Sequence, residues 1–237
     1  MRVLVTRPEP AAAKTAAALE CLGHVPVFLP LMQATHQLEA FASAPLPGTT
    51  VLAVTSAEAM RALVACSKEA SRHFLSLPVF AVGHATARAA HEAGFETVSV
   101  ADGDGLSLAK RLIATRDPKA KILYLTGTPR SSDFEAALAD AGCTVEIREC
   151  YRMSPVAYQE SEIAQRLTPM PEAILVYSSE TARRLGELHD RMRSSLEWPR
   201  TRFLCLSEKI ANALPEEFRR TSQWPMQPRE DLLILLL

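Results

Sequence analysis

The sequence has no excess of basic residues. Its 237 residues include 26 lysines and arginines and 27 aspartates and glutamates, for a formal net charge of -1. A protein dedicated to binding nucleic acid usually carries a strong positive excess, so this balance argues against a nucleic-acid partner. It leaves a small anionic ligand open, because local groups can bind an anion without net positive charge.

Cysteines are few and irregularly spaced, and no Cys-x-x-Cys pair occurs. Their number is odd, so neither a disulfide framework nor a zinc knuckle is expected, and we predict reduced, buried thiols. His24, His36 and His84 lack a Cys, Asp or His at ligand spacing, and no metal site is predicted. The five cysteines are Cys21, Cys66, Cys143, Cys150 and Cys205.

Long apolar segments are also missing. Residues 232–237 are all apolar, but a membrane span needs about 20 residues, so we predict the end of an amphipathic helix with Leu232, Leu235 and Leu236 at helical spacing. Residues 1–8 carry too few apolar residues for a signal-peptide core. We therefore expect a cytoplasmic protein with no membrane partner.

Three common catalytic and nucleotide-binding motifs do not occur. No Gly-x-Gly-x-x-Gly and no Walker loop follows any apolar run, so dinucleotide and nucleoside triphosphate sites lack support. The Gly-x-Ser-x-Gly turn of serine hydrolases is missing as well. The function has to be sought in less sharply defined features.

Short apolar runs rich in Val, Ile and Leu recur along the chain, separated by stretches with helical spacing. The runs do not alternate apolar with polar residues, which is typical of strands buried on both faces in a parallel sheet. Three of the helical stretches end at a glycine, namely Gly23, Gly94 and Gly142. The pattern predicts an α/β protein with two small doubly wound parallel sheets. The apolar runs are residues 3–5, 51–54, 79–82, 122–125, 173–176 and 203–206.

The chain also repeats itself, which predicts two similar domains. Residues 2–8 and the strand at 25–29 are echoed by residues 121–127 and 144–148. Two candidate linkers, near 30–37 and 151–155, indicate that the chain crosses between the domains twice. Further echoes pair residues 54–59 with 176–182, 81–87 with 205–211, and 105–112 with 229–236.

The sequence resembles the uroporphyrinogen-III synthase family over essentially its full length. The resemblance implies one domain of residues 1–34 plus 155–237, a second of residues 36–150, and a ligand in the cleft between them. It is carried by the order and spacing of Thr6-Arg7-Pro8, Thr55-Ser56-Ala57, Ala81-Val82-Gly83-His84-Ala85-Thr86-Ala87, Leu125-Thr126-Gly127 with Arg130, then Tyr151, and Ser178-Ser179.

The resemblance also implies a reaction. Enzymes of this family close hydroxymethylbilane, a linear tetrapyrrole polycarboxylate, with inversion of the last ring and loss of water, in haem biosynthesis. Uncatalysed closure gives the other isomer, so the protein mainly has to hold one conformation and assist departure of the hydroxyl group. No metal and no organic cofactor are implied, and we expect a monomer.

Tyr151 is the predicted catalytic residue. A phenol stays protonated at neutral pH and can donate to a departing hydroxyl group; the alternative is an aromatic residue that packs at a hinge. The predicted substrate-binding residues follow strands, where helix N-termini attract carboxylates. For these, the alternatives are helix capping and packing or solvated arginine. They are Thr6, Arg7, Thr55, Ser56, Gly83, His84, Thr86, Gly127, Arg130, Ser178, Ser179, Ser207 and Lys209.

One segment departs from the family pattern. Where the first half reads Gly-x-x-Thr-Ala from Gly83, the second half reads Ser207-Glu208-Lys209-Ile210-Ala211. This departure leaves an alternative function open, a non-catalytic cytosolic two-lobed protein that binds a tetrapyrrole or a small anion. Turnover of hydroxymethylbilane distinguishes the two.

Overall fold

Strands and helices alternate along the chain, as the apolar runs predict. The computed structural model describes residues 1–101, 103–115, 120–193, 198 and 201–237. The chain divides into two compact units, Met1–Gln33 with Ser154–Leu237 (unit 1) and Ala34–Met153 (unit 2). Within the described residues, no helix has both the length and the apolar character that crossing a membrane requires.

The strands and helices have the following bounds. The strands are β1 (Arg2–Val5), β2 (Val25–Phe28), β3 (Met32–His36), β4 (Thr49–Val54), β5 (Val79–Val82), β6 (Val98–Ala101), β7 (Lys121–Thr128), β8 (Thr144–Pro155), β9 (Ala173–Val176), β10 (Arg202–Cys205) and β11 (Ser222–Gln223). The helices are α1 (Ala11–Cys21), α2 (Ala57–Val64), α3 (Lys68–Leu75), α4 (Gly83–Glu92), α5 (Gly105–Thr115), α6 (Asp133–Asp140), α7 (Glu160–Arg166), α8 (Ser179–Met192), α9 (Glu208–Ala211), α10 (Glu216–Arg219) and α11 (Glu230–Ile234), and a short 3₁₀ helix covers Leu38–Phe41.

The two sheets have equivalent strand orders. In the described residues of unit 1 the order is β11-β10-β9-β1-β2, and β6-β5-β4-β7-β8 follows the same order in unit 2, with β3 added beside β8. The pairs within both series are parallel. The internal repeat of the sequence therefore corresponds to a repeated topology, and the predicted α/β class with two similar parallel sheets is confirmed.

Each central strand is buried on both faces. In β4, Leu52 and Val54 pack in one apolar cluster, while Val51 and Ala53 pack in another. Successive side chains of a strand point to opposite faces, so both faces of the sheet are covered. This is why the apolar runs of the sequence do not alternate with polar residues.

The two segments predicted as linkers are largely strand, since β3 covers most of the first and β8 includes the second. The chain passes between the units at Gln33–Ala34, within β3, and at Met153–Ser154, within β8. Backbone groups in this region are paired, since the amide of Gln37 donates to the carbonyl of Cys150 at 2.9 Å. Pairing of the backbone explains why these residues are extended strand.

The helix ends agree with the sequence in part. Gly23, Gly94 and Gly142 follow α1, α4 and α6 with φ of 76°, 102° and 67°, as predicted for glycines that end helices. The face predicted for the C-terminal helix is wrong, because Leu233 and Ile234 are the buried residues and Leu235 is exposed. The helix ends at Ile234, so a helical period extended to residue 235 does not apply.

Candidate functional site

In unit 1, three strand-to-helix turns lie side by side. Since β1, β9 and β10 are parallel neighbours, the residues that follow them share the carboxyl edge of the sheet. Six predicted residues are placed at this edge: Thr6 and Arg7 after β1, Ser178 and Ser179 after β9, and Ser207 and Lys209 after β10.

In unit 2, the same edge of the second sheet carries the other predicted residues. Thr55 and Ser56 follow β4, and α4 begins directly after β5. Gly127 lies near the end of β7 and pairs in register with Tyr151 of β8. The parallel pairing thus brings these turns of unit 2 to one edge.

The Tyr151 side chain is closely enclosed. A Cβ atom at Gly127 would lie 2.2 Å from Cε2 and Cζ of its ring, so only glycine fits beneath it. Its hydroxyl interacts with the Ser56 side chain. Burial raises the pKa of Tyr151 to about 12, against a lowering by the Ser56 hydrogen bond. The phenol is therefore protonated at neutral pH.

Thr55 and Ser56 have defined partners around this phenol. The Thr55 Oγ1 shares a hydrogen bond of 3.0 Å with the Tyr124 hydroxyl. Ser56 is the N-cap of α2, because its Oγ accepts from the amide of Glu58 at 3.2 Å. The capping alternative therefore holds for Ser56, alongside its contact with Tyr151.

Sequence reasoning missed Glu58, a carboxylate that is only 7% exposed. His36 Nε2 lies 2.7 Å from its Oε1, and Arg61 donates to its Oε2 from Nε and Nη2 at 2.8 and 2.5 Å. The spacing of Glu58 and Arg61 on one helix face is a detectable signal. No local pattern indicates His36, which comes from another strand.

Arg7, predicted as a clamp for a substrate carboxylate, is paired with a carboxylate of the protein. Its Nη1 lies 2.8 Å from Glu230 Oε1, and its guanidinium stacks over the Tyr177 ring at 4.1 Å. The Tyr177 hydroxyl and Thr15 Oγ1 donate to the same Glu230 oxygen at 2.8 and 2.5 Å. Burial, followed by the charge of Glu230, raises the pKa of Tyr177.

Arg130 is paired in the same way. Its Nε lies 2.5 Å from Glu135 Oε1 and its Nη1 lies 2.6 Å from Glu149 Oε1. The hydrogen bond that Arg130 donates to Glu135 is the main cause that raises the pKa of Arg130. Arg130 is exposed, and its guanidinium has two carboxylates of the protein as counter-charges.

Several other predicted residues have structural partners. The hydroxyl of Thr6 is fully buried and donates to the Leu175 carbonyl at 2.7 Å, so it joins β1 to β9. Ser178 is the N-cap of α8, accepting from the amide of Thr181 at 3.1 Å. Ser207 precedes α9 without a capping hydrogen bond from its side chain.

The departure at Ile210 concerns a buried position. Ile210 is 8% exposed and Thr86, its counterpart in the first half, is 5% exposed. The exchange therefore alters packing within unit 1. Lys209 in unit 1 is exposed, and so is His84 in the first turn of α4 in unit 2. Gly83 begins α4 with a φ of 70°.

No cluster of three or more His, Cys, Asp or Glu side chains is placed to hold a metal ion, within the part of the chain that the structure describes. The polar groups at the two sheet edges include side-chain hydroxyl groups, a buried phenol, paired arginines and the backbone N–H groups of the helix starts. These groups can bind carboxylates and donate hydrogen bonds.

Comparison with known proteins gives a consistent family. The family model described as uroporphyrinogen-III synthase HemD matches residues 13–234, whereas no curated protein matches the sequence. The structure of a uroporphyrinogen-III synthetase from Helicobacter pylori is 16% identical with a TM-score of 0.67, covering 99% of this chain and 96% of that chain. A mutant uroporphyrinogen III synthase from Thermus thermophilus is 21% identical with a TM-score of 0.54, covering 92% of this chain and 89% of that chain. At these identities the structures show a shared fold.

Proposed function

The chain belongs to the uroporphyrinogen-III synthase family, and from this membership we propose how its own residues carry out the reaction. The activity is that of a cofactor-independent lyase of tetrapyrrole synthesis. The substrate of the family is hydroxymethylbilane, and we take it as the substrate here. We further propose that the protein works as a monomer in the cytoplasm, with no nucleic-acid or membrane partner.

The reaction needs a group that assists the departing hydroxyl. The C–O bond of the hydroxymethyl group breaks while the pyrrole nitrogen supplies the electron pair. The oxygen takes up a proton and leaves as water, and the pyrrole N–H proton is released as the azafulvene forms. The buried, protonated phenol of Tyr151 is the observation that supports this role most directly. With a pKa of about 12, it acts as a hydrogen-bond donor to the leaving oxygen rather than as a strong acid.

The substrate carboxylates need binding groups that are not already paired. Arg7 and Arg130 each have carboxylate partners within 3 Å, so they are weak candidates for the first contacts. The first turns of α2, α4 and α8 offer backbone N–H groups, which bind anions together with the helix dipole. We therefore assign carboxylate binding chiefly to the turns at Ser56, Gly83 and Ser178.

A coupled assay tests this function. Hydroxymethylbilane is generated in situ, the protein is added, and the oxidised type I and type III isomers are separated by chromatography. A large excess of type III is the expected result, whereas heat-inactivated protein should give type I alone. Type I alone from folded protein would overturn the proposal and favour the non-catalytic binding protein.

A further inference from the structure

Glu58 is a buried carboxylate that the proposed reaction does not use. It lies in the first turn of α2 and follows the N-cap Ser56 by two residues. A buried charge is retained only where charged or hydrogen-bonding partners compensate its loss of hydration. Its surroundings therefore indicate what it holds in place.

Both oxygens of this carboxylate are occupied, and by different elements. Oε1 lies 2.7 Å from Nε2 of His36, at the end of β3. Oε2 accepts from Arg61 at 2.8 and 2.5 Å within α2. Glu58 thus joins the first turn of α2 to β3.

The same two elements support Tyr151. The residue after His36, Gln37, donates its amide to the carbonyl of Cys150 at 2.9 Å, directly before Tyr151. On the other side, the Ser56 Oγ accepts from the Glu58 amide at 3.2 Å, and the Ser56 side chain interacts with the Tyr151 hydroxyl. Glu58 therefore connects to the backbone beside Tyr151 and to the partner of its phenol.

We propose that Glu58 is a positioning residue for Tyr151. Its carboxylate, held by His36 and Arg61, keeps the first turn of α2 against β3 and so holds the Ser56 hydroxyl at the phenol. This role rests on the proposed function of Tyr151 as the donor. An amide at this position carries no charge and has one acceptor oxygen where the carboxylate has two, so Glu58→Gln weakens the pairing with Arg61.

Kinetics of Glu58→Gln test the proposal directly. We expect kcat to fall about tenfold, as misplacement of a reacting group does, and KM to rise as well, because the turn at Ser56 is also assigned to carboxylate binding. Because Glu58 acts through Tyr151, Glu58→Gln should change kcat by less than about twofold in a Tyr151→Phe background. The matched control is Glu92→Gln, which removes an exposed carboxylate of α4 that lies 4.0 Å from Arg88; its kcat should equal that of the wild type.

A spectroscopic measurement separates positioning from a general loss of stability. In protein labelled at tyrosine Cζ with ¹³C, the Tyr151 signal is identified by its absence from Tyr151→Phe. Glu58→Gln should shift this signal and leave that of Tyr158, in unit 1, unchanged. If Glu58→Gln does not fold, His36→Ala serves instead, since it removes the partner on β3 and keeps the pair of Glu58 with Arg61. The same shift and the same dependence on Tyr151 are expected.

The outcomes distinguish the two proposals. If wild-type protein gives no type III isomer, the proposed function fails. If Tyr151→Phe turns over at the wild-type rate, the role of Tyr151 fails. If Tyr151→Phe is slow but Glu58→Gln keeps full kcat, the positioning role is overturned. It is overturned equally if the loss in Glu58→Gln is undiminished in the Tyr151→Phe background, or if the Tyr151 signal does not move.

Discussion

At the residue scale, the phenol of Tyr151 has the clearest chemical role. We expect Tyr151→Phe to lower kcat about 10- to 100-fold, because a hydrogen bond to the leaving oxygen is lost in the transition state. KM should change little, since the hydroxyl is not assigned to substrate binding. The coupled assay measures both, and Tyr158→Phe is the control, because it removes a phenol that donates to the Pro30 carbonyl in unit 1.

Gly127 has no side chain, and the ring of Tyr151 occupies the space where a Cβ atom would lie. Since a Cβ would lie 2.2 Å from the Tyr151 ring, Gly127→Ala should displace the ring and destabilise the protein by about 1–3 kcal/mol. Urea denaturation measures the change. In a Tyr151→Ala background the clash is gone and the cost of Gly127→Ala should nearly vanish; an equal cost in both backgrounds would contradict this origin.

At the element scale, two serines at helix starts give a matched comparison. Ser178 caps α8 by accepting a hydrogen bond from the amide of Thr181. Ser178→Ala should therefore lower the free energy of unfolding by about 1 kcal/mol. Ser207 makes no capping bond, and Ser207→Ala should leave the free energy of unfolding unchanged within about 0.5 kcal/mol. Denaturant titration of the two variants measures both free energies of unfolding. Equal losses would contradict the assignment of the Ser178 effect to helix capping.

Elements were predictable where the signal is local. The apolar runs identified the central strands, because a strand buried on both faces needs apolar residues at successive positions. The sequence predicts a linker at residues 151–155, and in the structure this segment continues β8. Its strand state depends on pairing with another strand, since Tyr151 and Arg152 pair with Gly127 and Thr128 of β7.

At the scale of the whole molecule, buried thiol and phenol groups make the free energy of unfolding depend on pH in the alkaline range. Burial raises the pKa of Cys150 and Cys205 from 9.0 to about 12, and that of Tyr151 from 10.0 to about 12. Between these values the unfolded chain loses protons that the folded chain keeps, which favours unfolding.

The stability contributed by these groups is therefore complete below pH 9 and is lost as the pH rises towards about 12. We expect the free energy of unfolding to fall by about 1 kcal/mol or more per pH unit in this range. Urea titrations at pH 8, 9, 10 and 11 measure it. A constant or rising stability over the range would contradict the prediction, and Cys205→Ala should reduce the slope.

The α/β class, the two similar sheets and the turns at their carboxyl edges follow from the sequence alone. Apolar runs and helix-ending glycines are short local patterns, and the internal repeat is visible without knowledge of the packing. Tertiary structure alone decided which of the predicted side chains have partners. Arg7 meets Glu230 across 223 positions, His36 meets Glu58 across 22, and Gly127 lies under the ring of Tyr151. Such pairs depend on how distant strands and helices pack, and packing follows from the fold of the whole unit rather than from any segment of it.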